Sequence, residues 1–188
     1  MSHEPLLIQS IDARGVAAIT LNRPDAFNAM SEGLLDALSE AIQALGGNAA
    51  LRAVVIAGAG KAFCAGHDLK EMRAQPSDAY YKDLFNRCSR VMMGLQSLPV
   101  PVIAKVHGLA TAAGCQLVAQ CDLAVASTDA RFAVSGVNLG LFCATPSVAL
   151  TRNLGRKAAF EMLATGAFIS AEQAVVKGLV NRAVQPDA

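Results

Sequence analysis

The chain has 188 residues, 53% of them hydrophobic and 16% charged, which excludes intrinsic disorder. Sixteen basic against fifteen acidic residues leave a net charge of +1, and there is no Trp and only two Tyr. That balance offers neither an electrostatic footprint nor a stacking platform for nucleic acid. The length suits one domain over residues 1–188. No charge-free apolar run of about 18 residues occurs, so no membrane insertion is expected.

Residues 6–11 (LLIQSI) and 16–21 (VAAITL) are short apolar runs flanking Asp12-Ala13-Arg14-Gly15, and together predict a β-hairpin. Residues 31–45 predict a helix with Ser31 as N-cap and Leu34, Leu35, Leu38, Ile42 and Leu45 on one face. Residues 53–57 (AVVIA) read as a buried strand, and 62–68 as a loop of small residues. A helix is expected over 77–98, with Tyr81, Leu84, Phe85, Cys88, Val91, Met92 and Leu95 apolar. Strands follow at 102–106, 122–126 and 132–134, with helices at 111–119, 146–154 and 156–164. Ser170 and Gln173 form a capping-box pair for a last short helix closed by Gly178. Periodicity alone gives an α/β fold.

Several motifs fail. Gly58-Ala59-Gly60 follows a strand, but a dinucleotide fingerprint needs a further Gly where Phe63 stands. Lys61 is followed by Ala62, so the stretch is not a P-loop. Cys64 and His67 lack a second pair to complete a zinc site, and His3, His67 and His107 share no helical face. No metal site is expected. Cys143 as a nucleophile lacks an electropositive partner nearby. The five cysteines, Cys64, Cys88, Cys115, Cys121 and Cys143, read as reduced thiols of a cytoplasmic protein. Residues 1–10 show neither a secretion signal nor a transit peptide.

Two segments belong together: KAFCAGHDLK at 61–70, and PVIAKVHGLATAAGCQL at 101–117 leading to Cys121-Asp122. With LNRP at 21–24, Asn28-Ala29 and the run 167–181, they resemble the enoyl-CoA hydratase/isomerase (crotonase) superfamily over about residues 6–185. Residues 110–122 are most similar to the subgroup of enoyl-CoA hydratase domain-containing proteins. The resemblance implies a ClpP/crotonase spiral of repeated β-β-α units. It implies an acyl-CoA thioester as ligand, no cofactor beyond the coenzyme A of that substrate, and a homo-oligomer, trimeric or hexameric.

By the same resemblance, the backbone N–H groups of His67 and Ala113 are the oxyanion donors. Ala26, Phe27, Cys64, Ala65, Asp68, Leu69 and Ala112 line the substrate and CoA path. A small-residue turn at a helix N-terminus suits that role, because its amides are unpaired and its side chains leave room. Asp25 stands where the family often carries Lys; Arg23, Lys61 or Lys70 could compensate.

Two departures matter. The family's paired glutamates fall on Gln116 and Gly136, neither of which exchanges a proton near neutral pH. Hydration is therefore not the expected reaction, although a lyase or isomerase of this class remains the first reading. A reaction needing less acid–base help, such as decarboxylation or thioester hydrolysis, would suit the residues; so would a non-catalytic acyl-CoA-binding or assembly protein. The sequence also stops at Pro186-Asp187-Ala188, where the family continues into C-terminal helices, so a largely missing helical region is expected.

Overall fold

The computed structural model describes residues 4–186. His3, one of the three histidines, and the terminal pair Asp187-Ala188 lie outside the described residues.

The hairpin forms as expected. Strands β1 (Leu7–Ile11) and β2 (Val16–Leu21) pair antiparallel from Leu7↔Leu21 to Ile11↔Ala17. The Asp12 carboxylate accepts from the Arg14 and Val16 amides at 2.9 and 3.0 Å, which closes the turn. From β2 onward the sheet is parallel, in the order β1-β2-β3-β5-β7-β10, with β3 (Ala53–Gly58), β5 (Val102–Val106), β7 (Leu123–Ser127) and β10 (Arg182–Val184). Inward residues of β2 and β3, among them Ile19, Leu21, Val54 and Ile56, are buried in the main core. Helix α1 (Glu32–Gly46) buries the predicted leucine stripe in that core, and Ser31 Oγ accepts from Leu34 N at 3.2 Å as its cap.

Three strand–strand–helix units then repeat. The first strand of each joins the six-stranded sheet, and the second enters a smaller sheet ordered β4-β6-β8-β9. Its members are β4 (Ala62–Cys64), β6 (Leu109–Thr111), β8 (Arg131–Ala133) and β9 (Ile169–Ser170). The sequence predicts a loop at 62–68 and a helix from Thr111, where the structure has β4 and the end of β6. Both need correction, because three-residue strands are too short to show a period. The sheets lie close where β5 passes to β6: a Cβ on Gly108 would sit 2.4 Å from the Lys61 carbonyl oxygen.

The helix of the second unit is α4 (Ala113–Gln120), buried almost throughout. It rides directly on β4, since a Cβ on Gly114 would fall 2.1 Å from the Cys64 carbonyl oxygen. The first unit carries the short α2 (Leu69–Ala74) and the long α3 (Asp78–Gln96), capped by Ser77. Leu84, Cys88, Val91, Met92 and Leu95 of α3 enter the core as predicted; Tyr81 and Phe85 do not. The third unit carries α5 (Ala144–Asn153) and α6 (Arg156–Thr165). The predicted capping box opens α7 (Ala171–Lys177), and Gly178 closes it with φ +86°.

Asn28 locks the loop after β2 onto the β3–β4 turn. It is fully buried with φ 54°, its Oδ1 accepts from Arg23 N at 2.8 Å, and its Nδ2 donates to the Ala59 and Ala62 carbonyls at 2.8 and 2.7 Å. Asn28→Ala strands one amide and two carbonyls in a site closed to water. The expected loss is about 3 kcal/mol or more by urea unfolding. A loss below about 1 kcal/mol would show that other contacts hold the loop.

Candidate active site

A cleft of about 670 Å³ opens between four segments: the loop after β2, the β4–α2 loop, the start of α4 and residues 135–146. Phe27, Met72, Phe85, Leu139, Leu141 and Phe142 give it a mainly apolar lining. Phe85 left the core stripe for this wall. Leu139, Leu141 and Phe142 lie in a segment for which the sequence predicts no regular element. Their aperiodic 3-10 and loop backbone gave no pattern to find.

The sequence-derived residues divide into two groups. Ala26, Phe27, Ala65 and Leu69 line the cleft, as do His67, Asp68, Ala112, Ala113 and Gly136. Cys64 and Gln116 do not; they are 0% and 5% exposed, behind the wall.

Two residues lining this space, His67 and Ala113, have backbone amides without an acceptor among the described residues. Met30 N donates to the Gly66 carbonyl at 2.7 Å, and Asp68 N donates to the Met30 carbonyl at 3.2 Å. In such a parallel bridge the residue between, His67, turns its own N–H to the opposite side. Ala113 is the first residue of α4, where an amide has no partner within the helix. Neither amide has an acceptor among the described residues.

The two loops meet. A Cβ on Gly66 (φ +94°) would lie 2.9 Å from Ala112 Cβ and 3.3 Å from Ala113 N. Thr111 Oγ1 also donates to the Ala65 carbonyl at 2.9 Å. Ala112 itself has φ 49° and ψ −119°, a region that L residues avoid. Such strain costs about 1–3 kcal/mol and persists only where the surroundings fix it.

Two charged groups at the rim, Arg23 and Asp68, are committed to each other and to backbone groups. Arg23 Nη2 pairs with Asp68 Oδ2 at 2.9 Å, with side chains only 20% and 12% exposed, and Arg23 also donates to the Ala29 carbonyl. Asp68 Oδ1 caps α2, accepting from Lys70 N at 3.0 Å and Glu71 N at 3.4 Å. Burial pushes the Asp68 carboxyl upward, but Arg23 and the two amides outweigh it and hold it below the usual carboxylate range. Asp68 is thus an ionised structural anchor, not a general acid. Asp25 sits exposed at the mouth.

Inside, the walls are neutral. A Cβ on Gly136 would lie 2.5 Å from both Cys143 Sγ and the Leu141 carbonyl oxygen. Residues 136–143 have folded onto the space where a longer side chain would project, and Leu141 N donates back to the Gly136 carbonyl at 3.0 Å. Burial raises the Cys143 thiol, so it stays protonated at neutral pH, which removes the nucleophile reading. Gln116 Oε1 is buried with no partner, a state that costs about 1–3 kcal/mol. The His67 ring packs edge-on to Phe85 with centroids 5.4 Å apart, and both ring nitrogens are buried without partners. Among the described residues, no cluster of three His, Cys, Asp or Glu side chains is placed to hold a metal ion.

The spiral of β-β-α units carries an apolar cleft, bordered by two backbone amides that have no acceptor among the described residues. Over residues 12–188 the chain matches the family model for enoyl-CoA hydratase/isomerase. It belongs to that family. Enoyl-CoA hydratase domain-containing protein 3, mitochondrial, from Xenopus laevis is 48% identical over 98% of this chain and 62% of its own length. The Homo sapiens protein of the same name is 46% identical over 98% and 61%. The chain thus spans about three fifths of these curated relatives. A solved enoyl-CoA hydratase from Mycobacterium smegmatis is 68% identical, with TM-score 0.97 over 98% of this chain and 72% of that one.

These names correct the cytoplasmic expectation: the domain-containing-protein-3 relatives are named mitochondrial. The physical reason is plain. Unpaired thiols report a reducing environment, not which reducing compartment it is.

Burial lowers the His67 imidazole from 6.5 to about 4, and the Met30 carbonyl, beside the ring but outside hydrogen-bonding geometry, offsets a smaller part. The folded value lies below the unfolded one, so His67 costs no stability above pH 6.5. Stability then falls as pH drops toward 4, by about 3 kcal/mol in total. Asp68 adds a separate loss only below that, through its lowered carboxylate range. Urea unfolding at pH 7, 5.5 and 4.5 should show this decline, and His67→Leu should flatten it. An unchanged slope in that variant would place its origin elsewhere.

Proposed function

We propose that the cleft binds an acyl-CoA thioester with its carbonyl oxygen held by the N–H groups of His67 and Ala113. The observation carrying this reading is the pair of acceptor-free amides, brought from separate loops to one apolar cleft. Two such donors stabilise a developing oxyanion by about 3–4 kcal/mol each, the more so in a site that excludes water. The positive end of α4 adds to the Ala113 amide. Phe85, Leu139, Leu141 and Phe142 suit an acyl chain, while Ala26, Phe27, Ala65 and Leu69 suit the pantetheine path. No cofactor beyond the coenzyme A of the substrate enters this reading.

The thioester is polarised, but hydration lacks its proton-transfer groups. Each general acid or base is worth about 10²–10⁴ in rate, and neither Gln116 nor Gly136 supplies one. Thioester hydrolysis or decarboxylation asks less of such groups. Non-catalytic acyl-CoA binding is the second reading, favoured by the closed space at Gly136. A homo-oligomer fits either reading. Phe160, Phe168 and Val176 are 70%, 49% and 88% exposed, surface that association would cover.

Thermal unfolding of the full chain with butyryl-CoA, octanoyl-CoA and free CoA tests the reading. The acyl thioesters should raise Tm more than CoA does, and crotonyl-CoA should bind without measurable hydration. No acyl-dependent shift would end the proposal; brisk hydration would overturn the argument from the missing carboxylates. Gly66→Ala places a methyl between the two loops and should weaken acyl-CoA binding about tenfold, while the main core stays folded.

A further inference from the structure

Strand β1 stands at the end of the six-stranded sheet, and β2 pairs with one side of it only. Natural sheet edges are blunted by a charge, a proline or a bulge. The strand LIQSI has none of these, and its register to β2 is unbroken over all five residues. Ile8 and Ile11 are 51% and 50% exposed, on opposite faces of the strand.

The hairpin decides which main-chain groups point outward. Asn22 N donates to the Leu6 carbonyl at 2.8 Å, and Asp12 N donates to the Val16 carbonyl at 3.1 Å. Both pairs continue the β1–β2 register, so the even-numbered residues bond to β2. Leu7, Gln9 and Ile11 therefore turn their N–H and C=O groups to the open side. Among the described residues, no backbone group beyond the hairpin bonds to them.

This outward set is symmetric about Gln9. Two antiparallel copies of β1, related by a two-fold axis through Gln9, set Gln9 against Gln9 and Leu7 against Ile11 of the other copy. Each such pair exchanges two hydrogen bonds. The side chains match as well. Leu7 meets Ile11 on one face and Ile8 meets Ser10 on the other, while the two Gln9 carboxamides lie side by side, each both donor and acceptor. The same offset brings Glu4 toward Arg14 of the second copy, once on each side of the axis. Glu4 is exposed and the Arg14 side chain is 82% exposed, so opposite charges flank the uncharged strand pair. Matching of backbone, side chains and charge under one two-fold operation favours a second copy over an unrelated extended peptide.

We infer that the open edge of β1 is a docking surface for a second copy of this chain, joined antiparallel about Gln9 so that two six-stranded sheets run on as one. It stands independently of the thioester reading.

Analytical ultracentrifugation and amide hydrogen exchange of the full chain test it. Association should depend on concentration. With it the Leu7, Gln9 and Ile11 amides should become protected, while those of Ile8 and Ser10, already bonded to β2, keep their protection on dilution. Gln9→Pro removes an N–H that the β1–β2 ladder does not use, so the hairpin should survive while self-association weakens about tenfold or more. Should that variant not fold, Gln9→Lys sets two like charges on the axis and should weaken association likewise. A chain that stays monomeric at submillimolar concentration overturns the inference. An oligomer whose Leu7, Gln9 and Ile11 amides exchange freely, or whose assembly a folded Gln9 variant leaves unchanged, is built on another surface and also overturns it.

Discussion

The close seating of α4 on β4, and of the β4–α2 loop against the start of α4, is the contact from which the site follows. Gly114 lets the helix backbone reach the Cys64 carbonyl, and Gly66 lets the neighbouring loop reach Ala112 and Ala113. The pairing of β4 with β6 and the Thr111–Ala65 hydrogen bond hold these elements from behind. An alanine with positive φ is tolerated at 112 because all of its neighbours are fixed. Rigidity there has a consequence for chemistry. A hydrogen-bond donor aimed in advance at a developing charge needs no reorganisation when the charge appears.

Charge is treated differently from dipole in this cleft. The Arg23–Asp68 pair is one-fifth exposed or less, and Asp68 also caps α2, so the pair fastens two loops rather than transferring protons. Cys143 remains a thiol and His67 a neutral imidazole at pH 7, each because burial disfavours its charged form. On the proposed reading, what a ligand meets is two amides, the end of a helix dipole and an apolar wall. Such a set polarises a carbonyl strongly and moves protons poorly.

The fold was legible in the sequence where elements were long or their caps distinctive. The α1 stripe, the Ser170–Gln173 capping box and the hairpin around Asp12 all follow from residue chemistry and spacing. Strands β4 and β6 were not legible, because three residues carry no period, and the second sheet was accordingly invisible. The family resemblance, now shown, supplied what periodicity lacked. Within the site, a sequence lists Gly136 and Cys143 as separate residues. That the thiol occupies the direction of a Cβ on the glycine is a fact of loop closure, and no local pattern encodes it. Phe85 shows the same limit. Its spacing fits the core face of α3, yet the ring turns to the cleft, where it meets His67.

Neutral walls and slow proton transfer are two effects of one substitution pattern. A carboxylate inside an apolar cleft must be desolvated when an acyl chain enters, at an effective cost of several kcal/mol unless it is paired. On the proposed reading, the absence of a side chain at 136 removes that cost on binding, and with no carboxylate at 116 or 136 there is no base. On that reading, the pattern that disfavours hydration also favours an apolar acyl group. The loop 136–143 carries the trade further: where a side chain at 136 would project, it places a protonated thiol and a backbone carbonyl. On the proposed thioester reading, a cleft arranged in this way discriminates by shape and by its few remaining polar contacts, because it retains little else with which to tell one ligand from another.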